Sequence, residues 1–303
     1  VAAQASEELA AALAELEALE GLEGPKRVIR EISSQIHINS QRARAGLPVR
    51  PLSLHACFTG NPGTGKTTVA RLYARILKGL GVLPRGHLVE VDASDLIAGY
   101  VGQTALKTKD VLQRAQGGVL FIDEAYALAG NGAGAHYGAE ALTTLTKYME
   151  DHRDSLVVIF AGYTGDMKKL LKGNVGLGSR VDVALDFPDY DDAALARILE
   201  RQVQGRGYWL PPGLALRVVQ KGLQGRGTPT FGNAREVRRL LEAALRRQAV
   251  RLQEREATQG PLGPKALRAL LPADFQLSGP QPLLEVRADG PAPPSTSDPS
   301  RPG

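Results

Sequence analysis

Cysteine and histidine are scarce in this 303-residue chain. The single cysteine, Cys57, excludes an internal disulfide and indicates a reducing compartment. Because Cys57 lies in an apolar stretch, we expect it to be a small buried hydrophobe rather than a reactive thiol. The 5 histidines show no metal-ligand spacing among themselves or with Cys57, which argues against a metal centre built from histidine and cysteine.

Long apolar runs are missing as well, and aromatic side chains are scarce. No uninterrupted apolar run approaches the roughly 20 residues that span a bilayer, so we do not expect this chain to be an integral membrane protein. Aromatic residues make up 5% of the chain, and none alternates with the arginines near the C-terminus. The net charge of +5 therefore fits a solvated helix face at least as well as an anionic partner. Nucleic-acid binding is a minor hypothesis.

The most informative feature that is present is the segment GNPGTGKT at residues 60–67. It matches the phosphate-binding loop G-x-x-x-x-G-K-S/T at every defined position, between an apolar stretch at 54–58 and a helical pattern. Its backbone N–H groups would cradle phosphate oxygens, with Lys66 on the β- and γ-phosphates and the Thr67 hydroxyl on Mg²⁺. The predicted nucleotide-binding residues here are Gly60, Asn61, Pro62, Gly63, Thr64, Gly65, Lys66, Thr67 and Thr68.

A second motif, GVLFIDE at residues 118–124, is an apolar strand that ends in two acids. Asp123 is a candidate ligand of Mg²⁺ through its water shell, and Glu124 is a candidate base for the attacking water. The alternative is that Asp123 only caps the turn at 124–128. A water-activating acid at position 124 also argues against a phosphate-transferring kinase.

The remaining pattern alternates between strands and helices. An amphipathic helix at 6–20, expected to dock on the body, and a helix at 25–45 precede the first strand. Strand patterns at 54–58, 87–91, 119–122, 156–161 and 181–187 have helical patterns between them. This alternation predicts an α/β fold with a parallel sheet flanked by helices. The strict alternation of 181–187 suggests an edge strand.

The chain beyond residue 190 changes character. Helical patterns at 192–204, 212–223, 234–257 and 264–271 predict a smaller, all-helical domain. We expect an N-terminal helix at 1–20, a large α/β domain at 21–188, a small helical lid domain at 189–275 and a disordered tail at 276–303. Val1, in place of methionine, suggests a processed chain or a piece of a longer one.

These motifs together resemble the AAA+ ATPases and, within them, the CbbX family of red-type Rubisco activases. The resemblance covers roughly residues 15–257. It is carried by GNPGTGKTTVA (60–70), GYVGQT (99–104), KTK (107–109), GGVLFIDEAYA (117–127), YGAEAL (137–142), LVVIFAGY (156–163), FPDY (187–190) and FGNAR (231–235). It implies a P-loop ATPase with a helical lid that hydrolyses ATP with Mg²⁺ in a homo-oligomeric ring, usually a hexamer.

The resemblance also implies roles for residues outside the two motifs. Arg180 matches the arginine finger that reaches the γ-phosphate of the neighbouring subunit, although it could be an ordinary surface arginine. Relatives usually carry a second arginine two residues earlier, where this chain has Gly178. Arg235 matches the lid sensor of ATP, with a solvated arginine face as the alternative. The first sensor is usually an asparagine; Thr164 or Tyr163 must serve here.

Two further segments gain expected roles in the same way. Leu22 and Gly24 belong to the segment that packs on adenine. Tyr100, Val101 and Gly102 match the aromatic pore loop that grips a polypeptide, although Tyr100 could instead be a buried loop aromatic.

The client implied by the resemblance is Rubisco with an inhibitory sugar phosphate trapped in it, in the cytoplasm or the plastid stroma. The alternatives are a secretion or assembly ATPase with another client, and a nucleotide-gated scaffold with little turnover. Fold-level analogy alone does not establish a substrate.

Overall fold

A computed structural model describes residues 2–49, 51–100, 103–130, 135–228 and 230–277, with the side chains of 2–5 and 135 left aside. Its centre is a parallel sheet, and within the described residues this sheet has five strands. In chain order they are β1 (Ala56–Gly60), β2 (Leu88–Asp92), β3 (Val119–Asp123), β4 (Val157–Gly162) and β5 (Val183–Phe187). Their order across the sheet is β2-β3-β4-β1-β5. The predicted α/β fold with a parallel sheet is confirmed.

The burial of each strand follows its sequence. The apolar run of β4 is buried throughout, whereas β5 alternates buried and exposed residues and lies at an edge, as predicted. β1 lies between them, with Phe58 opposite Ala161 of β4 and Leu185 of β5. Because all strands are parallel, the residues that follow β1, β3 and β4 meet at one edge of the sheet.

Helices cover both faces of the sheet. They are α1 (Ala2–Glu17), α2 (Glu23–Arg44), α3 (Lys66–Gly79), α4 (Ala93–Leu96), α5 (Gln103–Ala115), α6 (Ala135–Asp151), α7 (Thr164–Gly173) and α8 (Val175–Gly178). On one face, side chains from α1, α2 and α3 pack against Phe58 and Phe121. On the other face, side chains from α5, α6 and α7 pack against Leu120 and Phe160. The sheet is therefore the middle layer of three.

The N-terminal helix α1 docks on α3, as its amphipathic pattern led us to expect. Ala12 and Leu16 are fully buried in the core that includes residues of α3. Lys78 of α3 forms an ion pair with Glu8 at 2.8 Å. A Cβ at Gly79 would lie 2.7 Å from the Cβ of Leu9, so the small residue allows the two helices to approach closely.

A smaller helical domain follows β5. It contains α9 (Asp192–Gly205), α10 (Leu214–Gly222), α11 (Ala234–Gln259) and α12 (Pro264–Arg268), and it has its own core. α12 is shorter than the predicted helix at 264–271 because the chain extends to pair with Trp209, whose N–H donates to the carbonyl of Arg268. None of the described helices has the length and apolarity that a bilayer crossing requires.

Candidate active site

The phosphate loop joins the carboxyl end of β1 to the first turn of α3. Gly63 has φ of 70° and Gly65 has φ of 101°, conformations that favour glycine. The loop therefore turns sharply, and α3 begins at Lys66 with its free N–H groups at the loop. A helix N-terminus of this kind is an anion-binding site.

The Lys66 ammonium lies over the loop. Its Nζ donates to the carbonyls of Gly60 at 2.8 Å and Asn61 at 2.9 Å. Burial lowers the pKa of Lys66, the carboxylate of Asp123 raises it, and Arg235 lowers it further. An anionic group beside Lys66 would offset the desolvation of the ammonium, as a phosphate does.

A cavity of about 610 Å³ opens between the phosphate loop and the helical domain. This volume lies within the usual range of small-molecule sites. The lining brings together most of the predicted nucleotide-binding residues, both acids and two arginines of α11. Its members include Leu22, Gly60, Pro62, Gly63, Gly65, Lys66, Thr67, Thr68, Asp123, Glu124, Arg235 and Arg238.

The two acids stand at the carboxyl end of β3. The Oδ1 of Asp123 accepts the N–H of Glu124 at 3.0 Å. Glu124 has φ of 48° and ψ of 37°, in the left-handed region. It occupies the cap position of the short 3₁₀ turn Ala125–Ala129 and makes no capping bond with its side chain. The cap position therefore does not belong to Asp123, and both carboxylates line the cavity.

The oxygens available to a metal suit Mg²⁺. The Thr67 hydroxyl and the Asp123 carboxylate line the same cavity. In the described part of the chain, no group of three or more histidine, cysteine, aspartate or glutamate side chains could hold a metal ion. Mg²⁺ commonly uses one or two carboxylates together with waters and substrate phosphates, so this sparse donor set fits it.

The cavity lining also has an apolar part, which includes the segment between α1 and α2. Leu22 adopts a left-handed conformation with φ of 62°, and it lines the cavity with Leu19 and Ile198. Glu20 joins this segment to α9 through an ion pair with Arg201 at 2.9 Å. An apolar wall next to a phosphate site can receive a planar base.

Four predicted nucleotide-site residues do not line this cavity in the described part of the chain. Gly24 lies in α2, and Thr164 begins α7 directly after Gly162 and Tyr163, which do line the cavity. The other two, Asn61 and Thr64, belong to the loop, but the cavity lining does not include them. The Thr64 hydroxyl donates to the carbonyl of Asn61 at 2.8 Å.

Arg180 lies outside this cavity. Its Nε donates to Oε2 of Glu150 at 3.0 Å, and its Nη1 donates to the carbonyl of Gly176 at 2.8 Å. It lines a separate depression with residues of α6 and with Asn174, which directly precedes α8. A Cβ at Gly178 would lie 3.0 Å from the carbonyl oxygen of Leu171, so a larger residue there would be tightly placed.

The predicted pore loop is only partly described. The Tyr100 side chain is 73% exposed, which does not agree with a buried loop aromatic. Val101 and Gly102 lie outside the described residues.

Sequence reasoning missed a set of polar residues that connect the loop to the helical domain. Asp189, Tyr190 and Asn233 lie at this boundary, and the Tyr190 hydroxyl donates to the carbonyl of Thr64 at 2.9 Å. The segments FPDY and FGNAR, which contain these residues, were the available signal.

Comparison with known proteins agrees with this geometry. Residues 56–189 match the model of the ATPase family associated with various cellular activities (AAA), and residues 191–282 match that of the AAA lid domain. The FIGL-1 AAA domain in complex with ADP has the same fold, with a TM-score of 0.60, 20% identity and coverage of 86% of this chain and 81% of that chain.

Three relatives are more similar in sequence. Stage V sporulation protein K of Bacillus subtilis is 43% identical, with 78% of this chain and 74% of that protein covered. Protein CbbX of Cereibacter sphaeroides is 44% identical, with 85% and 83% covered. The chloroplastic ribulose bisphosphate carboxylase/oxygenase activase of Cyanidioschyzon merolae is 45% identical, with 77% and 79% covered. The chain therefore belongs to the AAA+ ATPases, in the CbbX family.

Proposed function

We propose that this ATPase is one subunit of a hexameric ring that uses ATP hydrolysis to remodel a client protein. The observation that supports it most is the position of Arg180. The phosphate loop, both acids and Arg235 share one cavity, whereas Arg180 lines another. An arginine finger placed outside its own cavity can act on the γ-phosphate held by a neighbouring subunit.

Within one cavity, each group has a separate task. Lys66 and the loop N–H groups bind the phosphates, while Thr67 and Asp123 would hold Mg²⁺. The ion would neutralise charge on the phosphates. Glu124 accepts a proton from the attacking water. Arg235 contacts the nucleotide from the lid, and the lid then moves against the large domain as the nucleotide changes.

Arg180 completes the site across the subunit boundary. The ion pair with Glu150 and the bond to Gly176 hold the guanidinium in one orientation before a neighbour arrives. A preoriented finger loses less conformational entropy when it engages the phosphate. Such a group contributes about 10³–10⁵ in rate, so Arg180→Ala should hydrolyse ATP very slowly.

A mixing experiment tests this arrangement. Arg180→Ala lacks the finger but keeps its cavity, and Glu124→Gln lacks the base but supplies the finger. When the two are assembled together, about a quarter of the interfaces combine an intact cavity with an intact finger, because a ring contact pairs each cavity with one neighbour. We expect the mixture to recover ATPase activity that neither variant has alone.

The control for the mixing experiment is a chain that carries both substitutions. Assembled with Arg180→Ala, it supplies no finger, and the mixture should stay inactive. If the first mixture also stays inactive although mixed rings form, the proposal that Arg180 completes the site of a neighbouring subunit is wrong.

The proposed client is inhibited red-type Rubisco. Support comes from the named relatives, an activase among them, and from the exposed aromatic ring of Tyr100, which can press on a polypeptide without reading its sequence. Added to Rubisco that carries an inhibitory sugar phosphate, the protein should restore carboxylation when ATP is present. Tyr100→Ala should keep ATPase activity and lose reactivation, and Tyr100→Phe should keep both. If the wild-type protein does not reactivate Rubisco, Rubisco is excluded as its client.

A different client is the second candidate, and the Bacillus subtilis relative favours it. Stage V sporulation protein K is as similar to this chain as the activase is. The motor would then be the same, and ring formation with ATP turnover but no response to Rubisco would favour this alternative. A scaffold with little turnover has no comparable support, because membership of this ATPase family implies hydrolysis.

A further inference from the structure

The side chain of Asn233 lies at the boundary between the phosphate loop and the lid. Asn233 directly precedes α11, is fully buried, and has φ of 45° and ψ of −123°. Residues other than glycine seldom adopt this conformation, which persists only where surrounding contacts compensate for its cost. Arg235 follows two residues later in the same helix. Any displacement of Asn233 therefore moves the backbone that carries Arg235.

The Asn233 amide joins three segments of the chain. Its Oδ1 accepts the N–H of Tyr190 at 3.0 Å. Its Nδ2 donates to Oδ1 of Asp189 at 2.7 Å and lies 3.2 Å from the carbonyl oxygen of Phe231 and 3.3 Å from that of Pro62. One buried amide thus connects the phosphate loop, the segment after β5 and the start of the lid helix. Buried polar groups that are fully paired specify a single arrangement.

A second contact reaches the same carboxylate from the loop. The Nδ2 of Asn61 donates to Oδ1 of Asp189 at 2.9 Å and to Oδ2 at 3.1 Å. The main chains also meet, because the N–H of Ala234 donates to the carbonyl of Gly63 at 3.2 Å. A Cβ at Gly63 would lie 2.1 Å from the carbonyl oxygen of Gly232. Loop and lid are therefore in direct contact, and a shift of one displaces the other.

Asn61 links this contact to the phosphate site. Its carbonyl accepts a bond from the Lys66 ammonium, and its side chain binds Asp189. A phosphate competes with the carbonyls of Gly60 and Asn61 for the same ammonium hydrogens. A continuous series of hydrogen bonds therefore runs from Lys66 through Asn61 and Asp189 to Asn233.

We propose that Asn233 is a positioning residue that places α11, and with it Arg235, according to the state of the phosphate loop. It contacts Asp189 and the loop backbone, and it acts on the reaction through Arg235. The inference rests on the proposed role of Arg235 and is independent of which client the ATPase has.

Asn233→Gly is the direct test, because glycine removes the amide and still adopts the same backbone conformation. It is compared in the full chain with Arg235→Ala and with the double variant. We expect Asn233→Gly to lower kcat about tenfold while the Kd for ATP changes less than about threefold. If Asn233 acts through Arg235, the double variant should be no slower than Arg235→Ala alone.

A charge exchange distinguishes positioning from general destabilisation. Asn233→Asp places a second carboxylate against Asp189 and should lower kcat. Adding Asp189→Asn restores one donor and one acceptor between the two side chains, so part of the lost kcat should return, although the carbonyls of Pro62 and Phe231 still face the carboxylate at position 233. If Asn233→Gly fails to fold, Asp189→Ala takes its place in the comparison, since Asp189 is exposed and its substitution leaves the Asn233 backbone intact.

Two outcomes overturn the inference alone. In the first, Asn233→Gly has the kcat of the wild-type protein although Arg235→Ala is slow. In the second, the loss of kcat in the double variant is the combined effect of the two single substitutions acting independently. A wild-type kcat in Arg235→Ala overturns the proposed role of Arg235 and this inference together.

Discussion

His55 provides a test of the buried structure beneath the phosphate loop. It directly precedes β1, its side chain is 4% exposed, and its Nδ1 accepts the N–H of Val158 at 3.0 Å. Burial lowers the pKa of His55 from its ordinary 6.5 to about 4. Arg180 lowers it as well, whereas the backbone of Met149 and the carboxylates of Asp182 and Glu150 raise it. Desolvation is the largest of these effects, so the folded chain keeps this imidazole neutral.

The sign of the effect on stability follows from this pKa. As the pH falls, the unfolded chain binds a proton at His55 before the folded chain does. The stabilisation is therefore complete above 6.5 and is lost as the pH falls from 6.5 to about 4. At about 1.4 kcal/mol per pKa unit, the whole effect is roughly 3 kcal/mol, and about 2 kcal/mol of it should be lost by about pH 5.

The assay is the free energy of unfolding in urea between about pH 7.5 and 4.5, at a fixed protein concentration. The matched control is His55→Asn, which keeps an acceptor for the Val158 N–H and does not titrate in this range. Carboxylates titrate in both proteins, so the difference between the two curves reports His55. Parallel curves, with a difference that changes by less than about 0.5 kcal/mol, would show that burial does not keep His55 neutral in the folded chain.

Three further predictions concern the core, a helix cap and the cysteine. Phe58 is fully buried between Phe121 and Phe187, at ring distances of 6.5 and 5.2 Å. Phe58→Ala should lower the free energy of unfolding by about 3–5 kcal/mol, and a loss below about 1 kcal/mol would contradict the place of Phe58 in the core. Asp191→Ala removes the cap of α9, where Oδ1 accepts the N–H of Ala194 at 2.7 Å. The local stability of α9, measured by amide exchange, should fall by about 1 kcal/mol. Asp191→Ser should behave as wild type. Burial raises the pKa of the Cys57 thiol to about 12, so iodoacetamide at about pH 8 should label the unfolded chain and spare the native one, and rapid native labelling would contradict this burial.

The parts of the fold that sequence predicts well are those set by local patterns. The strands β3 and β4 follow from continuous apolar runs, and the edge position of β5 follows from its alternation. The phosphate loop and Asp123 were recognisable because glycine, lysine and the adjacent acids occur at a fixed spacing, and the structure brings them to one cavity. The ends of the helices were predicted less accurately. α12 ends at Arg268 because pairing with Trp209, a distant residue, takes over the following segment.

The contacts between distant residues could not be predicted in this way. Asn233 reaches Pro62 across 171 positions of sequence, and no local period links the two. The buried state of His55 depends on β4 packing beside it, since its acceptor role is satisfied by Val158. The left-handed backbone of Glu124 also has no signature in the segment IDEA, because it results from the turn that must follow β3. Such features depend on the assembled fold.

The proposed mechanism requires that Glu124 activates water while the phosphate loop binds the nucleotide. The direct measurement is ATP turnover together with ATP affinity in Glu124→Gln, compared with the wild-type protein. Glutamine keeps the size and shape of the side chain but cannot act as a base. Hydrolysis should therefore fall by at least about 100-fold, while the Kd for ATP stays within about threefold of the wild-type value. Turnover in Glu124→Gln close to that of the wild-type protein would show that Glu124 is not the base for the attacking water.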